Sequence, residues 1–310
     1  MFPYLFSSIC VLLLWKTIIP PILIIYQYTL GRYLYGKRRQ LRAAGEWAII
    51  TGGTDGIGKA FAEELASDGL NIMIISRTME KLKATAHELK LSYGVSVKTV
   101  QADFTQMDIY ERIQSEVDAL SSIACLVNNV GMVNLNPESL AWDKGMQTDN
   151  INRYIICNTI SAAAMSKIVL PRLIKQNSGG AIINLSSISA CVCPPYLAIY
   201  ASTKAFVKHL SASLSLESIG KNVTIQAVCP AYVATAMVAG HRGFWVVSPR
   251  NCASSVLNQL GVEPVTYGHI LHALEAFFSS LLPQYVTNDM MEDKLRRAKL
   301  RIIQRKKAVS

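Results

Sequence analysis

The feature that most constrains the fold is a regular exchange between two hydrophobic patterns. From Trp47 onward, short and nearly continuous apolar runs alternate with longer stretches of helical spacing. The runs cover Trp47 to Thr51, Asn71 to Ser76, Val95 to Gln101, Ile123 to Asn128, Gly180 to Ser186 and Val223 to Val228. Residues 57–68, 79–92, 106–120, 150–175 and 201–218 lie between them. A strand buried on both faces reads as an unbroken apolar run, because it has no solvent side to carry polar residues. Such strands separated by helices predict an α/β fold, a Rossmann-like doubly wound parallel sheet with helices on both faces. Neither an internal repeat nor a Gly/Ser linker breaks the pattern, so residues 43–268 read as one domain, flanked by 1–42 and 269–310.

The flanks differ from the domain in kind. From Leu5 to Leu30 the only charge is Lys16, and the segment is long enough to cross a bilayer, although Pro20 and Pro21 must kink or divide it. No basic stretch precedes it and no small-x-small cleavage site follows, so it reads as an uncleaved N-terminal membrane segment, with a hairpin or interfacial segment as the other arrangement. A chain that is 51% apolar and 17% charged is not a disordered one. Its net charge of +10 is unevenly placed: Arg32, Lys37, Arg38, Arg39 and Arg42 follow the apolar segment, eight more cations crowd into residues 294–307, and residues 43–293 sum to −4. No basic face for a nucleic acid is therefore expected, and the positive-inside rule puts the domain on the cytosolic side. Seven cysteines without a C-x-x-C pair suggest thiols in a reducing compartment and no metal site. Two N-x-S/T sequons begin at Asn184 and Asn222, in or beside strand-like runs where a glycan is expected not to fit.

Between the first run and the first helix lies Thr51-Gly52-Gly53-Thr54-Asp55-Gly56-Ile57-Gly58. Glycines there let the backbone turn sharply and approach a pyrophosphate, which the helix N-terminus stabilises through free N–H groups and partial positive charge. The second run closes on Ser76-Arg77, where an NAD-selecting site would offer Asp or Glu to the ribose hydroxyls. A hydroxyl beside a guanidinium suits a 2′-phosphate, so NADPH/NADP+ is the expected cofactor; an Arg77 that only caps the strand in water is the alternative. Further on, Tyr200-Ala201-Ser202-Thr203-Lys204 puts a phenol and an ammonium on one helix face. A phenol is a poor acid at neutral pH, and an adjacent cation lowers its pKa. Ser187, thirteen residues before Tyr200 at a strand end, is placed to donate to the same substrate oxygen.

Jointly these residues resemble the short-chain dehydrogenase/reductase family over residues 45–268, together with Asp103 after the third run and Asn128-Asn129-Val130-Gly131 after the fourth. The resemblance implies hydride transfer between a nicotinamide and a carbonyl or alcohol carbon. Tyr200 would be general acid/base, Ser187 would polarise the carbonyl, and Lys204 would hold the nicotinamide ribose and lower the phenol pKa. Cofactor contacts are implied for Thr51, Gly52, Thr54, Asp55, Gly56, Ile57, Gly58, Arg77 and Asn129, with Asp103 at the adenine and Val233 and Thr235 on the nicotinamide side. Asn158, thirteen residues before Pro171, takes the place of the asparagine that holds a relay water, with Asn150 and Asn152 as competitors. The usual Asn-Asn-Ala-Gly is here Asn-Asn-Val-Gly, and the usual Pro-Gly is Pro230-Ala231; neither change removes a functional side chain.

Val130, Gly45-Glu46-Trp47-Ala48 and Val233-Ala234-Thr235 look like the membrane-anchored branch of 17β-hydroxysteroid dehydrogenases and very-long-chain 3-oxoacyl-CoA reductases. That implies an endoplasmic-reticulum membrane enzyme with a hydrophobic substrate, acyl-CoA or steroid, and allows a homodimer. Reduction of a long-chain 3-oxoacyl-CoA in fatty-acid elongation is the leading expectation, and 17-ketosteroid reduction the second. A non-catalytic dinucleotide-binding membrane or lipid-droplet protein would be marked by loss of Ser187, Tyr200 or Lys204, and all three are present. Residues 231–268 would cover the substrate with Met237, Phe244, Trp245, Val246 and Val247, or those side chains simply pack on the sheet. His241 and Arg242 could meet a coenzyme A phosphate or stay solvated. Residues 270–286 read as an amphipathic helix resting on membrane or body, and Lys294 to Lys307 as a tail for anionic lipid or for water.

Overall fold

The computed structural model describes residues 14–133, 140–141, 147–238, 243–283, 285–293 and 297. Its centre is one parallel sheet in the order β3-β2-β1-β4-β5-β6-β7. The strands are β1 (Trp47–Thr51), β2 (Asn71–Ser76), β3 (Val97–Gln101), β4 (Ile123–Asn128), β5 (Gly180–Leu185), β6 (Val223–Val228) and β7 (Val265–Thr266). The helices are α1 (Ile19–Tyr26), α2 (Gly56–Ser67), α3 (Met79–Tyr93), α4 (Tyr110–Asp118), α5 (Thr148–Lys175, with a π-turn at Ile156–Ile160), α6 (Ala198–Glu217), α7 (Pro249–Asn258) and α8 (Ile270–Ser280).

Because successive strand residues point to opposite faces, each apolar run feeds two cores at once. Ile50, Ile74 and Val127 join Phe61, Leu65 and Leu257 on one face, while Ile49, Met73 and Leu126 join Ile113, Met165 and Val169 on the other. This is the doubly wound arrangement the sequence implies. Strand order reverses between β1 and β4, so the crevice where ligands collect in such sheets opens there, at the carboxyl ends of the strands. Helix α5 is long and apolar enough to cross a membrane, but Met165, Val169 and Leu173 are fully buried against the sheet, which makes it a core helix.

Three differences from the sequence reading concern the flanks and loops. Helix α7 and strand β7 occupy much of the region assigned to a substrate cover, and Cys252, Ala253, Val256 and Leu257 are fully buried there. A two-residue strand is too short to register as a run. The helix start was marked by Ser248, whose hydroxyl accepts from the Asn251 N–H at 3.1 Å, and by Pro249 in the first turn. Val247 is buried against Val233, whereas Met237 and Phe244 are exposed; His241 and Arg242 lie outside the described residues.

The N-terminal arm is the second difference. The helical chain from Leu14 breaks at Ile18, and Pro20 and Pro21 fall in the first turn of α1, where a missing N–H has no partner to lose. The arm continues through a π-turn at Gln27–Gly31 and packs along α8, with Tyr28 Oη 2.9 Å from Thr266 Oγ1. Arg38, counted above with the membrane-facing charge, instead turns under the sheet and binds Asp68 at 2.7 Å and Glu64 at 2.9 Å. The Lys37 N–H donates to the Leu260 carbonyl at 2.8 Å and its Nζ to Thr224 Oγ1 at 3.1 Å. Leu14, Trp15, Ile22, Leu23, Leu30 and Tyr33 remain exposed on the arm, beside exposed Phe278, Leu281 and Leu282 at the end of α8. The inner side of α8 rests on the body through buried His272 and Ala273. Of the tail only Arg297 is described, paired with Asp293 at 2.5 Å.

The sequons are the third. Asn184 is fully buried and donates to Ser211 Oγ at 2.9 Å, as a strand position demands. Asn222 is exposed in the turn before β6, at φ 46°, so sterics do not protect it from a glycan.

Candidate active site

Every candidate residue comes from a carboxyl end of a strand or from the loop or helix that follows it. The turn after β1 needs glycine at two points: Gly52 and Gly56 have φ of 67° and 54°, in the left-handed region. Gly58 is needed for closeness, since a Cβ there would sit 2.3 Å from the Gly52 carbonyl oxygen and 2.4 Å from Asn129 Nδ2. Asn129 ties the β4 loop to the turn, donating through Nδ2 to the Thr51 and Gly52 carbonyls, both at 3.1 Å. Thr51 Oγ1 accepts in return from the backbone N–H groups of Asn129 and Val130. The turn is thus built from two loops, and it aims the N-terminus of α2 into the crevice. Asp55 caps that helix by accepting from the Gly56 N–H at 2.7 Å, and Ile57 packs inward on the core.

The end of β2 adds hydroxyls and cations. Thr54 Oγ1 and Ser76 Oγ are 3.0 Å apart, Arg77 is exposed, and Lys81 on the first turn of α3 reaches the Asp55 carboxylate at 3.5 Å. The sequence pointed to Thr54, Ser76 and Arg77 but not to Lys81, although Lys81 follows Arg77 by four residues. Asp103 uses one carboxylate oxygen to hold Thr105, through its N–H at 3.0 Å and its hydroxyl at 2.9 Å. Thr235 lies against the turn: a Cβ on Gly56 would meet its methyl at 3.1 Å.

At the ends of β5 and β6 the reacting groups gather. The Ser187 hydroxyl lies beside the Tyr200 phenol, near enough to lower its pKa, and Ser187 also caps a short 3-10 turn, accepting from the Ser189 N–H at 3.2 Å. Burial pushes the Tyr200 phenol above its ordinary range, and the Ser187 hydroxyl pulls it partly back. The Lys204 ammonium is 5.9 Å from the Tyr200 ring centre and donates to the Leu185 carbonyl at 2.9 Å. Desolvation brings Lys204 down to about 8, and no carboxylate pairs with it among the described residues.

Asn158 is 1% exposed, turned inward by the π-turn in α5. Its Oδ1 accepts from the Met132 N–H at 2.7 Å, and its Nδ2 donates to the Met132 carbonyl at 2.9 Å and to Thr203 Oγ1 at 3.0 Å. Both amide hydrogens are used, so a relay water could bind only the remaining lone pair of Oδ1. Asn152 is exposed, and of the three asparagines Asn158 is the one facing Lys204: a Cβ on Gly131 would lie 3.2 Å from Lys204 Nζ and 3.4 Å from Asn158 Oδ1. Gly131 is thus required by close approach between the β4 loop and the lysine.

The donor set fits a dinucleotide: a helix N-terminus behind a glycine turn, hydroxyls and cations after β2, and an unpaired buried ammonium beside a phenol. Comparison with known proteins agrees. Residues 46–243 match the family model described as short chain dehydrogenase. A very-long-chain 3-oxoacyl-CoA reductase from Bos taurus is 41% identical over 243 residues, 78% of this chain and 77% of that protein. A human protein named inactive hydroxysteroid dehydrogenase-like protein 1 is 36% identical over 258 residues, 81% of this chain and 77% of that protein. Among solved structures, a short-chain dehydrogenase from Sphingobium yanoikuyae in complex with NADPH is 29% identical, with a TM-score of 0.62 over 68% of this chain and 82% of that one.

Proposed function

The chain belongs to the short-chain dehydrogenase family, and on that premise we propose that it uses NADPH to reduce the ketone of a long-chain 3-oxoacyl-CoA to the 3-hydroxyacyl-CoA. It is an oxidoreductase that interconverts C=O and CH–OH groups with a nicotinamide dinucleotide. The observation that carries the substrate is the relationship to very-long-chain 3-oxoacyl-CoA reductases at 36–41% identity across most of the chain. NADPH over NADH rests on Ser76, Arg77 and Lys81, which offer hydroxyl and cationic donors to a 2′-phosphate and no carboxylate to a ribose diol.

The cofactor supplies the hydride; the chain supplies the rest. Ser187 and Tyr200 present their hydroxyls to one point, where both donate to the substrate carbonyl oxygen and disperse the charge that builds there. Tyr200 then gives its proton to that oxygen. Lys204 is buried 5.9 Å from the phenol ring centre and pairs with no carboxylate among the described residues, so a phenolate forming on Tyr200 would be a negative charge close to it. Asn158 fixes the loop that passes in front of Lys204 by clamping both backbone groups of Met132.

Location is part of the proposal. The exposed apolar residues of the arm and of the α8 end support attachment to the endoplasmic-reticulum membrane, with the domain boundary near residue 43 and the active site in the cytosol. Asn222 gives a direct test of orientation, because its sequon is accessible. Expressed in cells, the chain should keep its mass after glycosidase treatment; a downward shift that Asn222→Gln abolishes would place the domain in the lumen.

The chemistry is tested by giving purified protein and NADPH a long 3-oxoacyl-CoA and, separately, a 17-ketosteroid. Oxidation of NADPH with the acyl-CoA alone supports the proposal, and turnover of only the steroid replaces the substrate. The inactive human relative is the reason for a third arm: NADPH bound with neither ketone reduced would make this chain a non-catalytic member.

A further inference from the structure

Beside the catalytic groups lies a second reactive cluster that the reduction does not use. Cys191 ends the 3-10 turn that begins after Ser187, and Cys229 follows β6 directly. Their thiols lie close enough that each shifts the titration of the other. Lys208, one helical turn beyond Lys204 on α6, donates to Cys191 Sγ at 3.3 Å, and the Tyr267 hydroxyl lies beside the same sulfur. An ammonium bonded to the sulfur, with further donors around it, favours the thiolate. Against the penalty of partial burial these neighbours bring Cys191 below the ordinary thiol range, with Cys229 contributing most. Cys229 itself is fully buried and held well above the ordinary thiol range, chiefly by its neighbour Cys191 and by desolvation, so it stays protonated. Cys191 is exposed and Cys229 waits behind it.

We propose that Cys191 and Cys229 form a peroxide-sensing dithiol pair, Cys191 being the attacking sulfur and Cys229 the resolving one, whose disulfide arrests the catalytic loop. In the first step the Cys191 thiolate attacks one oxygen of a hydroperoxide. The O–O bond breaks, an S–O bond forms, the sulfur is oxidised by two electrons, and the departing oxygen takes a proton to leave as water or alcohol. In the second, the Cys229 sulfur attacks the Cys191 sulfenic acid; the S–S bond forms, the S–O bond breaks, and hydroxide leaves with the Cys229 proton as water. Two equivalents of a cellular thiol then restore both cysteines by exchange, breaking the Cys191–Cys229 S–S bond and leaving as their own disulfide.

The pair is positioned to act on turnover. The Ile188 N–H donates to the Pro230 carbonyl at 2.9 Å, so the loop of Ser187 and the segment leading to Val233 and Thr235 already touch, and a covalent link from Cys191, further along the first, to Cys229, next to Pro230, removes their freedom to move. Ser186 connects the same place to α6 through its hydroxyl on the Lys204 carbonyl at 2.7 Å.

The test uses the reduced full-length protein in detergent, treated with a few equivalents of hydrogen peroxide and blocked with N-ethylmaleimide. Denaturing mass analysis should show a loss of about 2 Da and of two blockable thiols, with a Cys191–Cys229 linked peptide that dithiothreitol removes. At pH 7, iodoacetamide should label Cys191 at least about tenfold faster than the neighbouring exposed Cys193, and Lys208→Met should remove most of that advantage. Cys229→Ser should stop the reaction at a dimedone-reactive sulfenic acid on Cys191, and Cys191→Ser should abolish it. Equal labelling of Cys191 and Cys193, a Cys191–Cys193 link, or overoxidised Cys191 with Cys229 still free would each overturn the proposal. These readouts need no substrate, so they stand apart from the fate of the acyl-CoA reading.

Discussion

Arg38 and Lys204 are both cations withdrawn from water, at opposite edges of the same sheet, and they are treated in opposite ways. At the amino edge, burial lowers the Arg38 pKa, but the hydrogen bonds and charges of Asp68 and Glu64 more than reverse this and raise it. At the carboxyl edge Lys204 has a backbone carbonyl and no carboxylate among the described residues, and desolvation takes it down to about 8. A neutralised cation holds structure together. A cation left without an anion destabilises the resting fold and is ready for whatever negative charge arrives. The contrast separates the docking edge from the reacting edge of the domain.

The largest expected effect lies at the carboxyl edge. Tyr200→Phe and Lys204→Met should each lower turnover by about 10²–10⁴-fold, while NADPH binding to the Tyr200 variant, followed by fluorescence, is retained. Lys204→Met should not lower the melting temperature, because it removes a desolvated charge. Arg77→Ala, in the exposed part of the same edge, should weaken NADPH binding by about 10–100-fold and leave NADH nearly unchanged, read from the two dissociation constants. Equal losses for both cofactors would detach Arg77 from the phosphate.

At the amino edge Arg38→Met should destabilise the fold by about 1–3 kcal/mol, less than for a fully buried pair because water reaches Asp68, with turnover per folded molecule unchanged. Should Lys204→Met prove the more destabilising of the two, the comparison is broken. The smallest effect is in pH. Lys204 titrates lower in the fold than in the unfolded chain, so its penalty is full below about pH 8 and fades as pH rises towards its ordinary value; Lys204→Met should flatten stability over that alkaline window. For Glu64, burial pushes the pKa up, but Arg38 and its other partners bring the net value below the ordinary range. Its contribution is therefore present above the ordinary carboxylate pKa and lost as acid takes the pH through the lowered one, and Arg38→Met should flatten stability there.

The sheet was legible because five of its seven strands are long enough, and buried deeply enough, to write themselves as apolar runs; β3, an edge strand in which only Val100 is buried, begins two residues later than its run. The reacting groups were legible because Tyr200 and Lys204 are local to one helix and Ser187 lies two residues past the strand before it. Arg38 was misread for the converse reason. Its partners are 26 and 30 residues away, and no periodicity announces a contact at that distance. Asn222 looked protected by its neighbouring strand, yet a turn residue takes none of a strand's burial. The substrate cover was the least legible part, since an exposed Phe244 and a buried Val247 are only three residues apart and composition does not tell them apart.

The π-turn at Ile156–Ile160 has a consequence for how this helix tolerates change in length. A π-turn holds one residue more than the α-helical ladder needs, so excising a residue from it would mend the ladder and give a more regular helix. The α-helical segments on either side would keep their relative orientation, since only the surplus residue is lost, but the residues of the turn itself would move to new positions around the axis. Asn158, which lies within the turn, would then leave the place from which it clamps Met132. A single-residue deletion that improves the helix would therefore unmake the wall in front of Lys204, and the irregular turn is the one place in α5 where local regularity and the shape of the site exclude each other.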